Sequence, residues 1–219
     1  MNSTETKELL LNFENMGRNC EFGLLQRYAG AEPLGLLRWS SVAVKPLIHA
    51  LQARFEGFGT EEQSEIVIER GEYWIKDTKF KITSHTSIRD VKADIEYVRK
   101  KQLPHLRFLR EGLIEKLENA EKVFVYQHRD LSREAILELH RAILSYGPNL
   151  LLCVRTATGS HLPGDIETVG DNLMIGYIDR EGIPASSHWD LSTDLWMKFA
   201  EAAFDRWKSL GYEKRPESA

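Results

Sequence analysis

The sequence predicts an α/β fold, with a mostly parallel central sheet and helices on both faces. Short apolar runs at 9–13, 122–126, 150–155 and 173–178 read as buried strands. The stretches between most of them space apolar residues three and four apart, as one face of a helix requires. Strands without polar alternation, separated by amphipathic helices, call for a sheet covered on both sides. Residues 65–85 depart from this pattern with several short strands and predict a small antiparallel β excursion.

The elements follow in order. Leu9-Leu10-Leu11-Asn12-Phe13 is predicted as the first strand, and Phe22, Leu24, Leu25 and Tyr28 suit one side of a short helix after it. Gly30 to Trp39 is a Gly/Pro-marked loop with enough apolar content to pack against something. Val44, Leu47, Ile48, Leu51 and Phe55 predict a helix from about 42 to 56, ended by Gly57 and Gly59. Strands are predicted at Ile66-Val67-Ile68, Tyr73-Trp74-Ile75 and Phe80-Lys81-Ile82, with turns at Gly71 and Asp77. Residues 88–119 read as helix, with stripes at Val91, Ile95 and Val98 and at Leu106, Leu109, Leu113 and Leu117. A break is expected near Pro104, which lacks an N–H and crowds the preceding turn. Lys122 to Tyr126 is a strand. Ser132 caps a helix with Ile136, Leu139, Ile143 and Leu144 on one face, stopped by Gly147-Pro148. After the strands at 150–155 and 173–178, a last helix opens near Ser192 or Thr193. Its stripe of Trp196, Phe199, Ala200, Ala203, Phe204 and Trp207 is core packing. The reading is one domain over 7–211, with flexible ends at 1–6 and 212–219.

A chain of 219 residues can bury about 70% of its extended surface without staples. Lys plus Arg number 29 and Asp plus Glu 33, a net charge of −4, which gives no overall attraction to nucleic acid or anionic lipid. The first residues are polar and acidic, unlike a secretory signal. No apolar run approaches the ~20 residues of a membrane span. With only Cys20 and Cys153, a disulfide framework is not the design, and a soluble cytoplasmic protein is expected. Gly-x-Gly-x-x-Gly, the phosphate-loop Gly-Lys-Ser/Thr, His-Glu-x-x-His and Cys-x-x-Cys are all absent, so neither cofactor nor metal is expected. Arg99-Lys100-Lys101 reads as a solvated helix end.

The chemistry-bearing feature is Cys20, in Gly17-Arg18-Asn19-Cys20-Glu21 on a strand-to-helix turn. In an open α/β sheet such a turn lies at the carboxyl edge, where ligands bind. Free backbone N–H groups at a helix start favour a thiolate or an oxyanion, and Arg18 would lower the thiol pKa further. Cys153, inside Leu150–Val154, reads as a core residue. A thiol nucleophile needs an imidazole to take its proton and a carboxylate or amide to orient that imidazole. His85, His128 and His188 each stand at the end of an element, and spacing alone does not choose among them.

These residues resemble a bacterial domain family of unknown function described as papain-like cysteine peptidases. The family signature is a strand, a Gly-x-Asn-Cys turn followed by an acidic or polar residue, an Arg-containing helix, and an apolar loop ending in Trp. Here these are Gly17-Arg18-Asn19-Cys20-Glu21, Gln26-Arg27 and Leu36-Leu37-Arg38-Trp39. The family usually ends the loop with Phe-Asp-Trp, and this chain has Arg38 in place of the acid. Ser84-His85-Thr86, Arg107-Phe108, Val123-Phe124-Val125 and Trp189-Asp190 match later positions. The resemblance implies Cys20 as nucleophile, His85 as general base and Asp190 as the orienting carboxylate, with Asp130 behind it. It implies substrate contacts from Arg18, Asn19, Glu21, Arg38 and Trp39. The expected activity is a cysteine-dependent hydrolase or acyltransferase acting on a peptide, amide or ester. The alternative is a binding module in which the Gly17–Phe22 turn and the Arg38-Trp39 loop hold a sugar or nucleotide-sugar.

Overall fold

The first strand does not begin in the leucine run. In the computed structural model, which describes residues 3–89, 92, 94–184 and 189–212, Leu9 to Leu11 end helix α1 (Ser3–Leu11). Three consecutive leucines carry no period. Leu9 and Leu10 are buried in the cluster shared with the last helix, and Asn12 Nδ2 closes the turn on the Glu8 carbonyl at 2.8 Å. The strand is β1 (Phe13–Asn15), and α2 (Glu21–Tyr28) opens directly after Cys20. Residues 3–6, expected to be a loose end, belong to α1.

Beyond them run β2 (Ser40–Ser41), α3 (Val44–Gln52), β3 (Ser64–Glu69), β4 (Glu72–Asp77) and β5 (Thr83–His85). The second half comprises α4 (Ile95–Asn119), β6 (Val123–Gln127), α5 (Arg133–Leu144), β7 (Leu150–Thr156), β8 (Ile166–Thr168) and β9 (Leu173–Ile178). A short antiparallel pair, β10 (Ile183–Pro184) and β11 (Trp189–Asp190), leads to α6 (Thr193–Ser209).

The main sheet has the order β1-β6-β7-β9-β8, parallel except for β8, which runs antiparallel to β9. Alternate residues of each strand feed two cores. Phe124, Tyr126, Leu151, Cys153 and Ile175 pack with α3, α4 and α5, whereas Val123, Val125, Leu152, Val154 and Met174 pack with α1, α2 and α6. Trp196, Phe199, Ala200, Ala203 and Trp207 are buried as the stripe requires. Each large side chain so buried contributes about 1.5–3 kcal/mol. Ser132 caps α5, its Oγ accepting the Ala135 N–H at 3.2 Å. Both sheet and helices form one α/β domain.

The excursion is a second, antiparallel sheet of order β2-β5-β4-β3. It differs from expectation at 80–82, which is not a strand. Phe80 and Ile82 are buried anchors of a turn in which Asp77 accepts the Phe80 N–H and donates its own N–H to the Ile82 carbonyl. Strand β5 starts at Thr83.

Pro104 does not break α4, which runs through it without interruption. Pro104 and Lys100, whose carbonyl loses its helical N–H partner, are both exposed, while the buried Leu103 and Leu106 hold the helix. Val91, part of the expected stripe, lies outside the described residues.

Candidate active site

The turn before Cys20 is built by two asparagines. Asn15 Oδ1 accepts the Gly17 N–H at 3.3 Å, and Asn15 Nδ2 donates to the Asn19 carbonyl at 3.4 Å and the Arg38 carbonyl at 3.3 Å. Gly17 has φ +85°, and a Cβ there would lie 2.8 Å from Val42 Cγ1. Both conformation and space therefore require glycine. Asn19 Oδ1 accepts the Glu21 N–H at 3.0 Å and caps the first turn of α2. Cys20 occupies the N-cap position, but its side chain makes no capping bond. Among the described residues the half-buried sulfur has no hydrogen-bond partner.

Glu21, one residue on, faces the opposite way. It is fully buried, and its carboxylate accepts from Trp196 Nε1 at 2.7 Å, Gln127 Nε2 at 2.7 Å and the Gly182 N–H at 2.8 Å. Burial holds its pKa above the ordinary carboxylate value, against the pull of these donors. Glu21 fastens α2 to β6, to the loop after β9 and to α6, and it does not line a site. This corrects its expected contact with substrate.

His85 is held by β4. In the register Trp74 stands opposite His85, and their rings lie 3.6 Å apart. Glu72, two residues before Trp74, reaches His85 Nδ1 at 3.2 Å and also accepts the Ser87 N–H at 2.8 Å. A carboxylate only accepts, so His85 carries its proton on Nδ1 and leaves Nε2 free. The same Glu72 acts on Cys20. Burial pushes the Cys20 thiol up to about 11, the Glu72 carboxylate adds to the rise, and Arg27 opposes it. The thiol is neutral at rest, contrary to the lowered pKa expected at a helix start. Desolvation outweighs the helix terminus here.

Trp39 closes the group. Its carbonyl accepts the His85 N–H at 3.0 Å, the Arg27 guanidinium lies 4.2 Å over its ring, and its ring edge abuts Gly23 of α2. Trp39 and His85 line a groove of about 370 Å³ with Ser84, Lys101, Gln102 and His105.

The other expected site residues lie elsewhere. Asp190 does not orient His85; it is half-exposed on β11 and paired with Arg180 at 2.6 Å. Arg38 is 4% exposed and spends its guanidinium on Glu32 and the carbonyls of Pro33, Gly23 and Ala31, so it ties the loop to α2 instead of lining a mouth. The Arg18 charge acts on Tyr126 and His128, and Arg18 is not among the groups that act on the Cys20 thiol. Asn19 stays beside Cys20: its Oδ1 is used in capping, while its Nδ2 has no hydrogen-bond partner among the described residues. His128 Nδ1 accepts the Asp130 N–H at 3.1 Å, and burial and Arg18 lower its pKa. His188 lies outside the described residues. Cys153 is a core residue, its thiol pKa raised by burial. Glu72, Trp74 and the reach of Arg27 to the thiol are what the sequence reading missed. Period-2 alternation puts Glu72 and Trp74 on one face of β4, but only the β4–β5 register brings that face to His85.

The fold thus defines an α/β domain in which a His85–Glu72 pair stands on the antiparallel sheet and the Glu72 charge acts on Cys20 at the end of β1. No family model, curated protein or solved structure matches the chain. Among the described residues, no helix is long and apolar enough to cross a membrane, and no group of three or more His, Cys, Asp or Glu side chains could hold a metal ion.

Proposed function

We propose that this protein is a cysteine-dependent acyl hydrolase or acyltransferase of papain-like residue logic, with Cys20 as nucleophile, His85 as general base and Glu72 as the orienting carboxylate. The observation that carries the reading is that one carboxylate, Glu72, bonds the imidazole and raises the pKa of the thiol. In the reaction the Cys20 S–H proton passes to His85 Nε2 as the sulfur attacks the acyl carbon. The S–C bond forms, the bond to the leaving group breaks, and His85 returns the proton to that group. Water, deprotonated by His85, then cleaves the thioester and the proton returns to sulfur. Glu72 stabilises the imidazolium formed in each half. Because the thiol is neutral at rest, this is general-base catalysis and not attack by a preformed thiolate. The substrate is a peptide, amide or ester of small cross-section, with Trp39 and the groove beside His85 receiving one side of it.

The test is acylation by p-nitrophenyl acetate, followed by intact-protein mass spectrometry. One acetyl group is expected on Cys20 and is released with time. His85→Ala should slow its arrival by about 10²–10⁴-fold, and Cys20→Ser should abolish it. Acetylation of Cys20 at the same rate in the His85→Ala protein removes His85 from the chemistry and the proposal with it.

A further inference from the structure

A different group of side chains lies at the carboxyl edge of β6 and β7. Their register pairs Gln127 with Val154, and the His128 N–H continues the ladder by donating to the Val154 carbonyl at 3.0 Å, which sets His128 beside Arg155. Arg155 stands two residues beyond Cys153 on the same face and opposite Tyr177 of β9. Arg18 follows β1, whose ladder with β6 continues as the Met16 N–H donates to the Val125 carbonyl at 2.8 Å, and the Arg18 charge acts on Tyr126 and His128 of that neighbouring strand end. Its backbone has φ 78°, a conformation that is strained for a residue with a Cβ.

Among the described residues, neither Arg18 nor Arg155 forms an ion pair, and the Nε atom of each is buried without an acceptor. A buried guanidinium donor without a partner is costly and asks for an oxygen. His128 adds a third donor. Its Nδ1 accepts from Asp130, so its Nε2 carries the proton. Three acids lie near this edge and are otherwise placed: Glu181 accepts the Arg129 N–H, Asp130 lies on the turn after β6, and Glu167 accepts from Arg133 and from the Tyr177 hydroxyl.

We propose that this edge binds a phosphate-bearing ligand, whose oxygens accept from Arg18, Arg155 and His128. Two fixed positive charges and a neutral imidazole donor match a dianion better than a single carboxylate, and guanidinium groups meet phosphate oxygens in pairs. The carboxyl ends of parallel strands are where such sheets place ligands. The site does not depend on the thiol chemistry.

The experiment is calorimetric titration of the full chain carrying Cys20→Ser with inorganic pyrophosphate, and with malonate as a dicarboxylate of similar size. Pyrophosphate should bind one site, and Arg18→Gln and Arg155→Gln should each weaken it about tenfold or more. Arg133→Gln, which removes a guanidinium already paired with Glu167, should leave binding unchanged. A His128 ring resonance that moves on titration gives a readout independent of the variants. No binding, equal loss in the Arg133→Gln protein, or malonate binding as tightly as pyrophosphate would each overturn the assignment.

Discussion

Glu72 acts on the thiol and on the imidazole in opposite senses, so replacing it should separate alkylation from catalysis. With a pKa of about 11, Cys20 is ionised to about 0.03% at a pH of about 7.5, roughly 300-fold less than free cysteine at about 8.5. A more basic thiolate is also the better nucleophile, which recovers about tenfold of that deficit. Iodoacetamide should therefore label Cys20 about 20- to 30-fold more slowly than free cysteine. Glu72→Gln removes the negative charge that raises the thiol pKa, so labelling should quicken by about two- to fivefold. Arg27→Gln removes the opposing positive charge, so labelling should slow. Acetylation by p-nitrophenyl acetate should move the other way in Glu72→Gln, because the imidazolium loses its stabilising partner. The assay is labelling rate against pH by peptide mass spectrometry, with acetylation measured on the same preparations. If Glu72→Gln leaves labelling unchanged, the carboxylate does not act on the sulfur. If both rates rise together, Glu72 is only a nearby charge and the catalytic arrangement is wrong.

Two further outcomes concern stability, measured by urea unfolding. Glu14 is 2% exposed and held by Lys116 Nζ at 2.8 Å, so Lys116→Met should cost about 3–5 kcal/mol by stranding a buried carboxylate, and adding Glu14→Gln should recover part of the loss. Glu21 has a folded pKa raised above its unfolded value. The folded state therefore binds the proton more tightly, and the stability this contributes is present at low pH and lost as pH rises through the folded pKa. Glu21→Gln cannot ionise, so it should gain on the wild type as the pH rises from about 4.5. A constant difference between the two proteins across that range would show that Glu21 titrates alike in both states.

Legibility in the sequence followed the range of the forces involved. Helices α5 and α6 were readable because a stripe such as Trp196, Phe199, Ala200 and Ala203 is local and strongly periodic. The run Leu9 to Leu11 misled because it lacks a period and its state is settled by packing on α6. Pro104 misled because propensity sees the missing N–H but not that it faces water. In the site, Cys20 was readable from Gly17, Asn19 and the helix that follows, all within a few residues. Its carboxylate was not. Asp190 looked suitable at an element end, but Arg180 captures it. Glu72 becomes the partner of His85 only through strand pairing, which no short window contains.

The site joins two sheets, and the loop from Ala31 to Ser41 makes the junction. Cys20 comes from the edge of the parallel sheet, and His85 and Glu72 come from the antiparallel one. Arg38 anchors the loop to α2 by donating to the Gly23 carbonyl and closes the loop on itself by donating to the Ala31 carbonyl, and Ser40 anchors it to β5 through the Ser84 hydroxyl at 2.8 Å. A Cβ at Gly23 would stand 2.9 Å from the Arg38 carbonyl and 3.2 Å from the Trp39 ring. The first is closer than packed atoms tolerate and the second is tight, so a side chain there would push the Arg38–Trp39 segment away from α2. The placement of the Cys20 turn relative to β5 is thus tied to the Arg38 and Ser40 contacts of this loop. The absence of a side chain at Gly23 and the inward turn of Arg38 hold the loop against α2. The guanidinium of Arg38 meets Glu32, Pro33, Ala31 and Trp39 of this loop and Gly23 of α2, the two parts it joins.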